Sequence, residues 1–89
     1  MTTLSVLMPV YNEARTLRTI VDRVLSSPID LGIELVCVDD CSSDSSLKIL
    51  HELADADPRI KVIAQPKNMG KGKAIRTAVE HMTGDIAII

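Results

Sequence analysis

Short apolar runs alternate with amphipathic ones along the whole chain, and this alternation constrains the fold more than any other feature. Leu4 to Val10 is an apolar, strand-like run. Ala14 to Ser27 places Leu17, Ile20, Val21, Val24 and Leu25 on one helical stripe. Asn12 is positioned to cap this helix, and Glu13 falls in its first turn, where the helix dipole favours a negative charge. Pro28 and Gly32 mark the loop beyond it.

Glu34 to Val38 reads as a second, nearly continuous apolar strand. Ser42 to Ser46 offers several N-cap candidates for a helix running to about Ala56 and burying Leu47, Leu50, Leu53 and Ala54. Asp57-Pro58 stops that helix. Ile60 to Ala64 is the third strand. The loop Asn68-Met69-Gly70-Lys71-Gly72 leads into a third helix with Ala74, Ile75, Ala78, Val79 and Met82 on one side. Gly84 ends it, and Asp85 to Ile89 begins a fourth strand. Strands of such apolar continuity suit a parallel sheet covered on both faces. The expected fold class is therefore α/β, a three-layer βαβαβαβ arrangement with right-handed crossovers, incomplete after the fourth strand. Stopping on Ile86-Ala87-Ile88-Ile89 suggests a truncated piece, since termini normally lie in polar residues beyond the last packed element.

The core has to be aliphatic, because Tyr11 is the single aromatic residue. A net charge of −2 argues against a general nucleic-acid or anionic-membrane surface. Cys37 lies in an apolar run and reads as a buried thiol. Cys37 and Cys41, with no His nearby, make a poor metal signal. His51 and His81 fall in helices without paired ligand spacing. The amino terminus has neither a signal peptide nor a membrane span, so a cytoplasmic location is the default.

In an open parallel sheet, ligands bind outside the carboxyl ends of the strands, at the switch point in strand order. Tyr11-Asn12-Glu13, Asp39 to Asp44 and Lys67 to Lys73 follow the first, second and third strands. All three loops should therefore emerge on one edge. Asp39 and Asp40 point to opposite sides of extended chain, so they are not expected to share one role. One carboxylate can accept from backbone or a helix start and the other from a ribose hydroxyl or a base N–H. On the pair alone, ligand binding and helix capping stand level. Lys71, Lys73 and Arg76 lie in the first turns of the third helix, where cations oppose the macrodipole. A diphosphate seated there turns that conflict into attraction, and the neighbouring glycines leave backbone N–H groups open to it. This reading is preferred over a solvated basic loop. Pro9 gives a rigid exit from the first strand, and the Tyr11 ring offers a flat face to a base or sugar or simply fills space.

The pattern differs from a nucleotide-triphosphatase loop and from the Gly-x-Gly-x-x-Gly of dinucleotide oxidoreductases. A phospho-acceptor signalling domain needs acids after the first strand and a phosphorylatable Asp after the third, where this chain has lysines.

Taken in order, Leu4-Ser5-Val6-Leu7-Met8-Pro9-Val10-Tyr11-Asn12-Glu13, Val38-Asp39-Asp40-Cys41-Ser42-Ser43-Asp44, Asn68-Met69-Gly70-Lys71-Gly72-Lys73-Ala74 and Thr83-Gly84-Asp85-Ile86 resemble the family 2 glycosyltransferases, and most closely their polyprenyl- and dolichyl-phosphate branch. The resemblance implies a GT-A-type, Rossmann-like fold, a nucleotide-diphosphate sugar donor and a polyprenyl phosphate or glycan acceptor. It implies that Pro9, Tyr11 and Glu13 line the nucleoside pocket, that Asp40 hydrogen-bonds the base with Asp39 beside it, and that Lys71 lies near the phosphates or the acceptor. It also implies Mg²⁺ or Mn²⁺ in the full-length parent, held by an Asp-x-Asp motif beyond Ile89. No catalytic residue is then expected in this chain, which should not transfer sugar alone, and the parent is expected to be cytoplasmic or at the cytoplasmic face of a membrane. The competing reading is a non-catalytic nucleotide-binding or self-associating α/β module, with the fourth strand pairing to a second copy through its open edge.

Overall fold

The structure, a computed structural model, describes residues 2–89. The elements follow the expected order: β1 (Thr3–Val10), α1 (Leu17–Leu25), β2 (Gly32–Asp39), α2 (Ser46–Ala56), β3 (Ile60–Ala64), α3 (Lys71–His81) and β4 (Ile86–Ile88). The strands form one parallel sheet in the order β3-β2-β1-β4. The chain steps outward from β1 to β3, then α3 returns it to the other side of β1. That reversal is the switch point at which α/β sheets bind ligands.

The two-residue pleat of β2 builds the core. Leu35 and Cys37 pack with Val10, Leu17, Val21, Leu50 and Ile60 in one apolar cluster, on the side of α1 and α2. Val36 and Val38 face the other way, into a smaller cluster with Leu7, Ala74 and Ala78 under α3. From Glu34 to Asp39 β2 is buried at every position, which explains its unbroken apolar run. Burying each Leu or Val of these clusters contributes on the order of 1.5–3 kcal/mol. Among the described residues, no helix is long and apolar enough to cross a membrane.

Several boundaries differ from the sequence reading. α1 begins at Leu17 rather than Ala14, after a turn in which the Glu13 carbonyl accepts from the N–H of Thr16 at 3.1 Å and of Leu17 at 3.0 Å. Asn12 does not cap it, and Glu13 precedes rather than enters its first turn. Gly32 opens β2 instead of lying in the loop. Ile20 is 40% exposed and Val79 52% exposed, although both were expected on covered stripes. The covered arc of α3 runs over Ala74, Thr77 and Ala78, and Val79 lies 100° further round the helix. Thr77 belongs to the buried face because its hydroxyl accepts from the Gln65 amide at 3.1 Å.

α3 ends at His81, and Gly84 serves a different purpose from stopping it. A Cβ there would lie 2.3 Å from the Ser5 hydroxyl and 2.9 Å from the Thr3 carbonyl. Only glycine admits so close an approach of backbone to β1. The same corner holds a buried carboxylate that the sequence did not advertise. Glu34 accepts from the Ser5 hydroxyl at 2.8 Å, the Thr83 N–H at 2.8 Å, the Thr83 hydroxyl at 2.6 Å and the Lys61 ammonium at 2.9 Å. It thereby ties β1, β2 and β3 to the approach of β4. Burial would push this carboxyl up, but the Thr83, Lys61 and Ser5 bonds outweigh it and bring the pKa from 4.5 to about 2. Cys37 has no such partners, and burial pushes its thiol up to about 12, so it stays protonated.

Two predictions follow from these environments. Because the Glu34 pKa is depressed on folding, its contribution is complete above about pH 4.5 and lost as pH falls through about 2. Urea unfolding across that window should show the Glu34-dependent part falling by about 3 kcal/mol. Glu34→Gln should be less stable at neutral pH and flatter in acid; parallel acid limbs for the two proteins would refute this assignment. Cys41, exposed at φ 59°, occupies the left-handed region. Relieving that strain with Cys41→Gly should raise stability by about 0.5–1 kcal/mol, and Cys41→Val should lower it by about 1 kcal/mol or more, both measured by urea midpoint.

Candidate nucleotide-binding site

The first two loops at the carboxyl edge are stitched together through polar atoms. Loop 11–16 has no strand or helix of its own, and its backbone N–H groups reach across to loop 40–45 and the start of α2. The N–H of Asn12 donates to the Ser42 hydroxyl at 2.9 Å, that of Glu13 to the buried Ser46 hydroxyl at 2.9 Å, and that of Ala14 to the Asp44 carboxylate at 3.2 Å. Asp44 also accepts from the Ser46 N–H at 2.9 Å. Hydrogen bonding to Ser46 first, with a smaller part from Ala14, holds its carboxyl below the usual range. In return the Asn12 side-chain carbonyl accepts from the Ser43 N–H at 2.8 Å, the Ser43 hydroxyl at 3.3 Å and the Asp44 N–H at 3.3 Å.

The acid pair divides as the pleat dictates. Asp39 continues the α1/α2 side of β2, is 1% exposed, and accepts from the Ser42 hydroxyl at 2.6 Å and the Ser42 N–H at 3.1 Å. It folds its own loop and is not among the residues lining the cavity described below, although the resemblance had placed it in the nucleotide site. Asp40 turns to the α3 side. Its two oxygens accept from the N–H of Met69 at 2.8 Å and of Gly70 at 3.0 Å, pinning the third loop to the second. Each oxygen keeps a second lone pair. Gly70 makes the turn into α3 at φ 88°, a conformation that only glycine adopts freely.

α3 begins without a side-chain cap, and its intrahelical bonding starts with the Ala74 N–H to the Gly70 carbonyl at 3.1 Å. The N–H groups of Lys71, Gly72 and Lys73 therefore lie open at a helix N-terminus that carries two lysines. Neither lysine forms a salt bridge among the described residues.

These three loops enclose a cavity of about 590 Å³ beside the switch point. Pro9, Tyr11 and Glu13 enter it from the end of β1, Asp40 from the end of β2, and Asn68, Gly70 and Lys71 from the third loop. Leu7 and Ala74, from the cluster under α3, give it an apolar floor, and Ile89 also lines it. Tyr11 keeps 48% of its surface exposed, so its ring is free to meet a ligand. The cavity thus brings together five of the six residues singled out from sequence and omits Asp39. Asn68 belongs to the loop picked out from sequence but was given no role of its own, and the apolar floor, which sequence reading missed, lacks a chemical signature. Among the described residues, no group of three or more His, Cys, Asp or Glu is placed to hold a metal ion.

The sequence model of the family described as Glycosyl transferase family 2 matches residues 5–89. An undecaprenyl-phosphate 4-deoxy-4-formamido-L-arabinose transferase from Edwardsiella ictaluri is 37% identical over 87 residues, covering 94% of this chain and 27% of that protein. Among solved structures, Staphylococcus aureus TarS in complex with UDP superposes with a TM-score of 0.86 at 27% identity, over 99% of this chain and 26% of that one. A mannosyltransferase from Pyrobaculum calidifontis, in complex with GDP-Man and Mn²⁺, superposes with a TM-score of 0.80 at 30% identity, over 99% of this chain and 26% of that one. The chain spans about a quarter of the length of these relatives. On the match to nearly its whole length, the sheet order and the GT-A neighbours, the chain belongs to glycosyl transferase family 2.

Proposed function

We propose that the cavity takes the nucleoside diphosphate part of a sugar nucleotide, and that the chain supplies this pocket to an enzyme that passes the sugar to a polyprenyl phosphate or glycan. The observation that carries the reading is the convergence of Glu13, Asp40 and Lys71 on one cavity from three separate loops. The apolar floor suits the faces of a planar base, and the Tyr11 ring offers a stacking surface. The free lone pairs of Asp40 are acceptors for a ring N–H, and Glu13 is an acceptor for ribose hydroxyls. Lys71 and the open N–H groups of α3 suit the diphosphate, whose charge compensates the lysines at a positive helix end.

Mg²⁺ or Mn²⁺ would stabilise the diphosphate leaving group in the parent enzyme. On this reading its ligands are the Asp-x-Asp carboxylates that the family resemblance implies in the remainder of the parent. The undecaprenyl-phosphate relative supports a lipid-linked acceptor, and with such an acceptor the parent would work at a membrane surface, on this reading its cytoplasmic face. A second reading, self-association, draws on the edge strand β4 and the residue after it, where Ile86, Ile88 and Ile89 are 49%, 50% and 73% exposed. Sedimentation velocity should then show a dimer that grows with concentration, and a strict monomer at high concentration would dismiss it.

Calorimetric titration with UDP and GDP, with and without Mn²⁺, tests the nucleotide reading. Saturable binding of at least one is expected, weakening about tenfold in Lys71→Ala and falling with added salt. No saturable heat from either nucleotide, or equal affinity in the variant, would count against it.

A further inference from the structure

Asn12 stands between two cavity residues, Tyr11 and Glu13, yet is not among the residues lining that cavity. Its backbone is left-handed, with φ 51°. That conformation turns its side chain to the second loop, where one carbonyl oxygen collects the Ser43 N–H, the Ser43 hydroxyl and the Asp44 N–H. Its own N–H closes the circuit on the Ser42 hydroxyl, which in turn donates to the buried Asp39 carboxylate. Asparagine suits the position on two counts: it tolerates left-handed backbone, and its uncharged carbonyl adds no repulsion beside Asp44 and Asp39.

We infer that Asn12 is a positioning residue for the nucleotide: it locks the first loop onto the second and thereby fixes where Tyr11 and Glu13 stand relative to Asp40. The inference rests on the nucleotide reading for its ligand and on the loop geometry for its mechanism. Tyr11 to Thr16 lies between β1 and α1, in neither element. Its far end is tied to α1 through the Glu13 carbonyl, and its place against the second loop is set by the cross-loop bonds of Asn12, Glu13 and Ala14. The second loop is itself anchored to buried groups, Asp39 below and Ser46 at the start of α2. Rigidity passes from β2 through Asp39 and Ser42 to Asn12, and from there to the two side chains that face the ligand. Ordering the loop in advance removes an entropic cost from binding.

The test uses the whole chain with two substitutions that break the lock from opposite sides. Asn12→Gly keeps the left-handed backbone and removes the acceptor, whereas Ser42→Ala removes the hydroxyl joining Asn12 to Asp39. Amide exchange should speed up about tenfold at Glu13 and Ala14 in both, with protection in β2 and β3 unchanged. Fluorotyrosine at position 11, a single resonance in this chain, should broaden or split, and affinity for UDP or GDP should fall about tenfold. Unchanged exchange at Glu13 and Ala14 overturns the inference. So does faster exchange with undiminished affinity, in a wild-type chain that binds. If the wild-type chain takes neither nucleotide, the functional reading fails instead, and the lock is decided by the exchange and the Tyr11 resonance alone. Should Asn12→Gly not fold, Ser42→Ala decides the same question.

Discussion

The burial of β2 on both faces governs the rest of the molecule. A strand covered on one side can leave its alternate residues polar, but one covered on both must be apolar almost throughout. Val36 and Val38 seat α3, while Leu35 and Cys37 seat α1 and α2. The same alternation carries beyond the last apolar residue. It sends Asp39 towards the larger cluster, where it organises its own loop, and Asp40 towards α3, where it meets the cavity. Two adjacent, chemically identical side chains thus acquire different work from a backbone period of two.

A strand buried this thoroughly makes a firm base for mobile connections. Loops ordinarily drift because water satisfies their polar groups as well as the protein does. Here the first loop spends its N–H groups on the second, and the second loop spends a carboxylate on the third. The cavity wall is held by few apolar contacts and many hydrogen bonds. Such a wall is exacting in direction and sensitive to loss of a single acceptor.

The element order and the shared edge of the three loops were legible in the sequence, because both follow from apolar periodicity and from a general rule of parallel sheets. The division between Asp39 and Asp40 was half legible: the pleat predicts opposite sides, but which side holds the cavity depends on where α3 lands. Glu34 was not legible. It looks like the polar start of an apolar strand, and its partners Ser5, Lys61 and Thr83 gather only once β1 and β3 flank β2 and the chain has returned from α3. Asn12 was read as a helix cap because its type and spacing fit one; the turn at Glu13 delays α1 and frees Asn12 for the neighbouring loop. Val79 was misplaced because one residue's rotation on a helix moves a side chain out of cover.

The order of the strands also bears on how the chain is made. Every residue of the larger cluster, from Val10 to Ile60, precedes the third loop, whereas the smaller cluster waits for Ala74 and Ala78. A chain emerging from the ribosome can therefore close the α1/α2 side of its sheet while the opposite side still faces water. During that interval Leu7, Val36 and Val38 form a greasy, unshielded stripe. The arrival of α3 covers it and, in the same movement, draws Gly70 and Lys71 to the mouth of the cavity.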